Sequence, residues 1–333
     1  MRSLVLEANT QISKQLIEHL HNLNIFDNTI ISDINDLDYK VHNDFDLVFI
    51  DYNLNHEDPF ELAFQLQKTN PDTYIVFLTS FKNNEAEVFE NYDIEYILKP
   101  INPHRLKTVV QKAKFFKHKP VERFIGDVSV KMFGSMELKM NSRNVRIVRK
   151  RQKEIIAYLI LHQFKASAVD MAKDIMNDKE FAYSIHELKA LIYELRQDIR
   201  IVDEYIKIEY IDQEYHLICD EVNIDYHEFM SLDANKMSMH RLELSLITYG
   251  KGLLYNFHNE WYLKSAYNAK KHFFHLQHSL IHSLEERKDT DKLRNILFNL
   301  KQYLETEEDW DYFNHIVEHN FSKVQQEHFQ MTN

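Results

Sequence analysis

Four short runs of consecutive apolar residues mark the first hundred positions: Leu4-Val5-Leu6, Leu47-Val48-Phe49-Ile50, Tyr74-Ile75-Val76-Phe77-Leu78 and Tyr96-Ile97-Leu98. Runs this short, with no polar alternation, fit strands buried on both faces. Between them apolar residues recur at helical spacing, at Ile12, Leu16, Ile17 and Leu20 and again at Leu62, Phe64 and Leu66. A third helix is expected around 85–91. A fourth should follow Pro103, with Leu106, Val109, Val110 and Ala113 on one face. Strands alternating with helices predict an α/β domain over 1–117, a doubly wound parallel sheet of five strands.

The pattern changes after a charged, proline-containing stretch that predicts a linker over 118–127. Short strand patterns follow at 128–133 and 136–140, joined through Gly134. A helix carries Ile155, Ile156, Leu159 and Ile160, and another, at about 185–200, carries Leu188, Leu191, Ile192, Leu195 and Ile199. Two further strand patterns, 205–209 and 214–218, read as a hairpin around Asp212-Gln213. Strands, then helices, then a terminal hairpin is the order of a winged helix, here 128–221. From 222 to 333 the pattern is helical, with a long helix near 262–287 and two more at about 290–304 and 309–330.

Composition adds three constraints. A chain of 333 residues with four glycines and a high aromatic content should fold into more than one ordered domain. The net charge of −12 gives no global nucleic-acid signature. It is uneven, however: 12 basic and 18 acidic residues in 1–120, 16 and 17 in 121–220, and 12 and 17 in 221–333. The single cysteine, Cys219, excludes an intramolecular disulfide and fits a reducing cytoplasm. No membrane span and no signal peptide are expected.

Each strand pattern ends on a residue with chemistry. Glu7 follows the first, Asp51 the second, Thr79 the third, and Lys99-Pro100 the fourth. Parallel sheets gather their sites at the carboxyl ends of their strands, so these side chains should converge. A carboxylate, a hydroxyl and an ammonium together can accept and hold a phosphoryl group. The constellation resembles the receiver domain of two-component response regulators. That resemblance makes Asp51 the phosphoryl acceptor, Thr79 and Lys99 the groups that hold the phosphoryl oxygens, and Tyr96 the aromatic that changes rotamer on activation. It also implies Mg²⁺, held by Glu7, Asp51 and the carbonyl of Asn53. Receivers carry two adjacent acids after the first strand, whereas here Glu7 is followed by Ala8. Weakened metal binding and slow or absent phosphorylation are therefore expected. The alternative is that the same side chains form only a hydrogen-bonded polar cluster.

A second constellation is basic. Arg143, Arg146, Arg149, Lys150, Arg151 and Lys153 fall within eleven positions, just ahead of the first helix of the winged-helix pattern. Such density can serve as a footprint for phosphates, or as a solvated loop. On the helix at about 185–200, His186, Lys189, Tyr193, Arg196, Gln197 and Arg200 lie opposite the apolar stripe. They are candidate contacts to DNA phosphates and base edges. Glu187, Glu194 and Asp198 flank them, and the hairpin tip is acidic, which disfavours wing contacts.

The run Val130 to Gly134, the segment Arg149 to Glu154, Leu188 to Arg196, Tyr215-His216-Leu217 and Asp225 to Phe229 resemble antibiotic-regulatory-type activators (SARP/BTAD-like). So do Tyr249 to Leu254 and Glu260-Trp261. Those proteins join a winged helix to an all-α, TPR-like bacterial transcriptional activation domain. The resemblance implies a cytoplasmic DNA-binding transcription regulator, with a sensor histidine kinase, RNA polymerase and a second copy of the chain as partners. The alternative is a phosphorylation-independent regulator that works through protein contacts. No glycine-rich phosphate loop and no nucleophile–base pair points to an independent enzyme. His272, His275, His278 and His282 on one helix, and His315 and His319 on another, read as solvated side chains rather than metal ligands.

Overall fold

The computed structural model describes residues 1–25, 27–31, 45–54, 58–80, 89, 94–116, 126–176, 181–304 and 307–321. The helix expected at 85–91, most of the linker, and the end of the helix expected at 309–330 lie outside them, apart from Phe89.

Strands β1 (Arg2–Leu6), β2 (Asp27–Ile31), β3 (Leu47–Asp51), β4 (Tyr74–Thr79) and β5 (Tyr96–Leu98) form one parallel sheet in the order β2-β1-β3-β4-β5. Every residue of β3 is buried, which is why its sequence shows no alternation. Helices α1 (Thr10–Asn22), α2 (Pro59–Thr69) and α3 (Pro103–Phe115) accompany the sheet. Each begins on a side-chain cap: Asn9, Asp58 and Asn102 accept from backbone N–H groups of the first turn. Pro59 and Pro103 occupy the first helical position, where no backbone N–H is needed. Leu16, Leu20, Phe49, Val76, Leu106 and Val109 pack together as the core of this layer.

Strands β6 (Val128–Lys131), β7 (Glu137–Met140) and β8 (Arg143–Asn144) follow. Helices α4 (Lys150–Leu161), α5 (Ala168–Ile175) and α6 (Phe181–Asp198) come next, with β9 (Lys165–Ser167) between the first two and a 3-10 turn (Ile199–Val202) after the last. Strands β10 (Ile206–Ile211) and β11 (Glu214–Cys219) pair as the expected hairpin, and β9 pairs with β11. Asp212 and Gln213 both have positive φ (50° and 67°), as a two-residue hairpin turn requires. The chain then runs through β12 (Val222–Ile224), α7 (Asp225–Met230), α8 (Met239–Tyr249), α9 (Leu263–Glu286), α10 (Thr290–Leu300) and α11 (Glu307–Asn320).

The chain divides into two compact units. One comprises 1–129, 137–222 and 259–261, and the other 130–136, 223–258 and 262–333. In the first, the α/β layer and the segment carrying α4–α6 pack as one body. In the second, Asp225 accepts from the backbone N–H groups of Met132 (2.7 Å) and Phe133 (3.2 Å). Gly134 N–H donates to Gly252 O at 2.7 Å, and Gly252 has φ +87°, a conformation that favours glycine. Phe133, Phe229, Tyr249 and Phe273 form its aromatic core, with Tyr249 stacked on Phe273 at 4.2 Å.

Candidate functional sites

The strand-end residues converge as the sheet topology demands. Lys99 Nζ lies 2.5 Å from Glu7 Oε2 and 2.8 Å from Asp51 Oδ1, so one ammonium bridges two carboxylates. Glu7 is 1% and Asp51 6% exposed. The backbone N–H of Asn9 donates to Glu7 Oε1 (2.9 Å) and that of Asn53 to Asp51 Oδ1 (3.1 Å). Burial pushes the Glu7 carboxyl above its ordinary range, against the lowering effect of Lys99 and the Asn9 N–H. Lys99 is placed by its own backbone, whose N–H donates to Thr79 O at 2.7 Å, and the Lys99–Pro100 bond is cis. Thr79 Oγ1 is buried and has no hydrogen-bond partner among the described residues, so its proton can be donated to an incoming oxygen.

The donors present do not complete a Mg²⁺ site. Mg²⁺ needs a near-octahedral set of oxygens. Three of the four oxygens of Glu7 and Asp51 are already engaged by Lys99 or backbone N–H groups, and the neighbouring position holds Ala8. No cluster of three or more His, Cys, Asp or Glu side chains able to hold a metal occurs among the described residues. On α9, His275, His278 and His282 are exposed. His272 is half-buried beside Phe229, and burial lowers its pKa.

Tyr96 belongs to an aromatic cluster. Its ring lies 5.4 Å from that of Phe89, which lies 5.3 Å from Tyr52 and 5.5 Å from Phe77. Tyr52 directly follows Asp51, and its N–H donates to Leu78 O at 2.8 Å.

The basic cluster divides in two. Arg149 pairs with Glu194 (2.8 Å), Arg151 with Glu187 (3.2 Å) and Lys150 with Glu154 (3.8 Å). Gln152 donates to Glu194 and Asp198. The start of α4 is therefore fastened to the acidic flank of α6, and those acids have partners within their own segment. Arg143 and Arg146 are exposed and Lys153 is half-buried.

The polar face of α6 is turned to the α/β layer. His186 Nδ1 is 2.5 Å from Tyr52 Oη, and Lys189 Nζ is 3.0 Å from Asp58 Oδ2. Tyr193 Oη donates to Gln67 Oε1 (2.8 Å), as does Gln197 Nε2 (3.0 Å). Burial pushes the Tyr193 phenol upward. Arg196 donates to Glu61 Oε2 (2.6 Å) and to Ile208 O (2.9 Å), and its guanidinium lies 3.9 Å over the Phe64 ring. With its side chain 3% exposed, loss of Glu61 would leave a buried charge unpaired, a defect that costs about 3–5 kcal/mol. Arg200 lines a cleft of about 370 Å³ with Phe64, Gln67 and Lys207. In this conformation, His186, Lys189, Tyr193, Arg196 and Gln197 are engaged by α2 and the β3 end rather than free for DNA. Asp58, Glu61 and Gln67 are not marked out by any sequence motif. Their signal was an acidic and amide face on α2 that matches the basic face of α6.

Residues 4–111 match the response regulator receiver domain, and that stretch of the chain is a receiver. The sensory transduction protein LytR of Staphylococcus epidermidis is 34% identical over 83 residues, covering 25% of this chain and 33% of that protein. LytR of Streptococcus agalactiae is 31% identical over 102 residues, covering 30% and 41%. The transcriptional regulatory protein LytR of Staphylococcus aureus is 28% identical over 104 residues, covering 30% and 42%. The chain thus spans between a third and about two fifths of the length of these relatives. The response regulator DrrB of Thermotoga maritima, described as an OmpR/PhoB homologue, aligns at 16% identity over 65% of this chain and 98% of that one, with a TM-score of 0.30. No helix among the described residues is long and apolar enough to cross a membrane.

Proposed function

We propose that the chain is a cytoplasmic DNA-binding transcription regulator of a two-component system, with Asp51 as phosphoryl acceptor. The observation that carries the input side is the Lys99 bridge between Asp51 and Glu7, beside a buried Thr79 hydroxyl. A carboxylate oxygen of Asp51 attacks phosphorus, the donor's bond to phosphorus breaks, and Lys99 and Thr79 offset the charge on the phosphoryl oxygens. A sensor histidine kinase is the donor this chemistry calls for. With Ala8 in place of a second acid, transfer is slow.

On the output side, 128–221 is read as a winged helix, with α6 as the helix that enters the major groove and β10–β11 as its wing. The order of β7–β8, α4, α5, α6 and the hairpin supports this reading, and so do the exposed Arg143 and Arg146. Residues 222–333 are read as a TPR-like activation domain that meets RNA polymerase or a second copy of the chain. The wing tip, Asp212-Gln213-Glu214, is acidic and takes no part in gripping DNA.

Selection of bound duplexes from a random DNA pool, followed by affinity measured against salt, tests the reading. Binding should weaken as salt rises. Replacing Arg143, Arg146 and Lys153 with Ala should lower affinity at least tenfold and flatten the salt slope. No selected sequence would favour a regulator that works through protein contacts alone, whereas a slope unchanged by the triple substitution would show that these three residues do not contact DNA.

A further inference from the structure

We propose that the cleft lined by α2, the end of α6 and β10 is a binding site for a zwitterionic α-amino acid with an apolar side chain. The cleft measures about 370 Å³. That is within the range of about 300–1,000 Å³ common for small-molecule sites. Phe64 and Pro71 line one side, Ile199 and Ile208 another. The site is independent of whether α6 meets DNA.

Two adjacent side chains of the cleft each leave one buried polar atom without a hydrogen-bond partner among the described residues. They are Arg196 Nη2, a donor, and Gln197 Oε1, an acceptor. Both are fixed by their surroundings. Arg196 Nε donates to Ile208 O (2.9 Å) and Nη1 to Glu61 Oε2 (2.6 Å), with the guanidinium over the Phe64 ring, so Nη2 is the group left over. Gln67 Nε2 donates to Thr73 O (3.1 Å), which makes its Oε1 the acceptor for Gln197 Nε2 (3.0 Å). The carbonyl oxygen of Gln197 is then the atom not used by Gln67. A buried charged donor and a buried amide acceptor are both costly to leave unmade. One ligand satisfies both if its carboxylate accepts from Arg196 and its ammonium donates to Gln197.

The charges of the wall select against a polyanion. Lys68, Arg200 and Lys207 are matched by Asp203, Glu204 and Glu209, with Lys68 paired to Glu209 at 3.0 Å, and Arg196 is paired to Glu61. The wall therefore carries no excess of positive charge. A phosphate would be repelled by its carboxylates, whereas a zwitterion meets both signs. The half-buried Phe64 ring and Pro71 offer apolar surface to the ligand's side chain.

The test is isothermal titration calorimetry of the full chain with L-phenylalanine, L-leucine and L-methionine, beside inorganic phosphate. At least one of the amino acids should bind with a Kd of about 1 mM or tighter. Its amide, which lacks the carboxylate, and its N-acetyl form, which lacks the ammonium, should each bind at least about tenfold more weakly. Gln197→Met keeps the side-chain length, removes the acceptor oxygen and should also weaken binding at least about tenfold. The bound amino acid should slow amide hydrogen exchange over 196–209 in the parent, a readout that stands even where the variant fails to fold. No binding by any of the three amino acids, or tighter binding of phosphate than of all three, would overturn the site. So would equal binding of the amide and N-acetyl forms, an affinity unchanged by Gln197→Met, or exchange over 196–209 unaffected by the ligand.

Discussion

The phenol oxygen of Tyr52 lies 2.5 Å from His186 Nδ1, although 134 positions separate the two residues and Tyr52 is next to the candidate acceptor Asp51. This bond ties the end of β3 to α6. Tyr52→Phe and His186→Ala should each lower the stability of this unit to urea by about 1 kcal/mol, the usual net worth of one hydrogen bond. The double variant should lose little more than either single one, with a coupling energy of about 1 kcal/mol. Additive losses would show that the two side chains do not support each other.

The basic cluster should split on mutation. Arg149→Ala and Arg151→Ala each break an ion pair to the flank of α6, to Glu194 and Glu187. Glu187 is largely buried, so its loss of a partner costs more than an exposed pair would. A fall of about 1–2 kcal/mol each is expected in urea denaturation. Arg143→Ala and Arg146→Ala, at exposed positions, should stay within about 0.5 kcal/mol of the parent.

Much of the receiver was legible because its signals are local. Buried parallel strands must be apolar throughout, and their carboxyl ends must converge, so Glu7, Asp51, Thr79 and Lys99 could be placed together from spacing alone. The hairpin around Asp212-Gln213 was readable for the same reason. The partners of α6 were not. A helical wheel separates a polar face from an apolar one, but a row of Lys, Tyr, Arg and Gln reads the same whether it faces phosphates or carboxylates. The choice is made by Asp58, Glu61 and Gln67, more than a hundred positions away. The short helix α5, capped by Ser167, also went unread, since eight residues show little more than two turns of periodicity.

Glu7 gives a dependence of stability on pH. Its folded pKa is raised above the ordinary value of 4.5 by burial, so the folded state holds the proton more tightly than the unfolded one. Its contribution is most favourable at or below pH 4.5 and is lost as pH rises through the folded value. The stability of Glu7→Gln relative to the parent should therefore increase as pH climbs from about 4.5 toward neutrality. A difference that is flat, or that shrinks, would mean that Lys99 outweighs the burial of Glu7.

Cys219 should be a poor nucleophile. Burial, helped by Asp220, pushes its thiol up to about 12, so almost no thiolate is present near neutral pH. Alkylation of the folded protein at pH 8 should run at least about 100-fold slower than that of the urea-unfolded chain. Equal rates would show that the end of β11 opens readily.

The most direct measurement is the intact mass after incubation with acetyl phosphate and Mg²⁺, for the parent, Asp51→Ala and Ala8→Asp. One phosphoryl group should add slowly to the parent and none to Asp51→Ala. Addition to Ala8→Asp should be faster, because its new carboxylate at an exposed position supplies the oxygen that the metal set lacks. Addition to Asp51→Ala at the parent's rate, or none to either the parent or Ala8→Asp, would contradict Asp51 as the input of this protein.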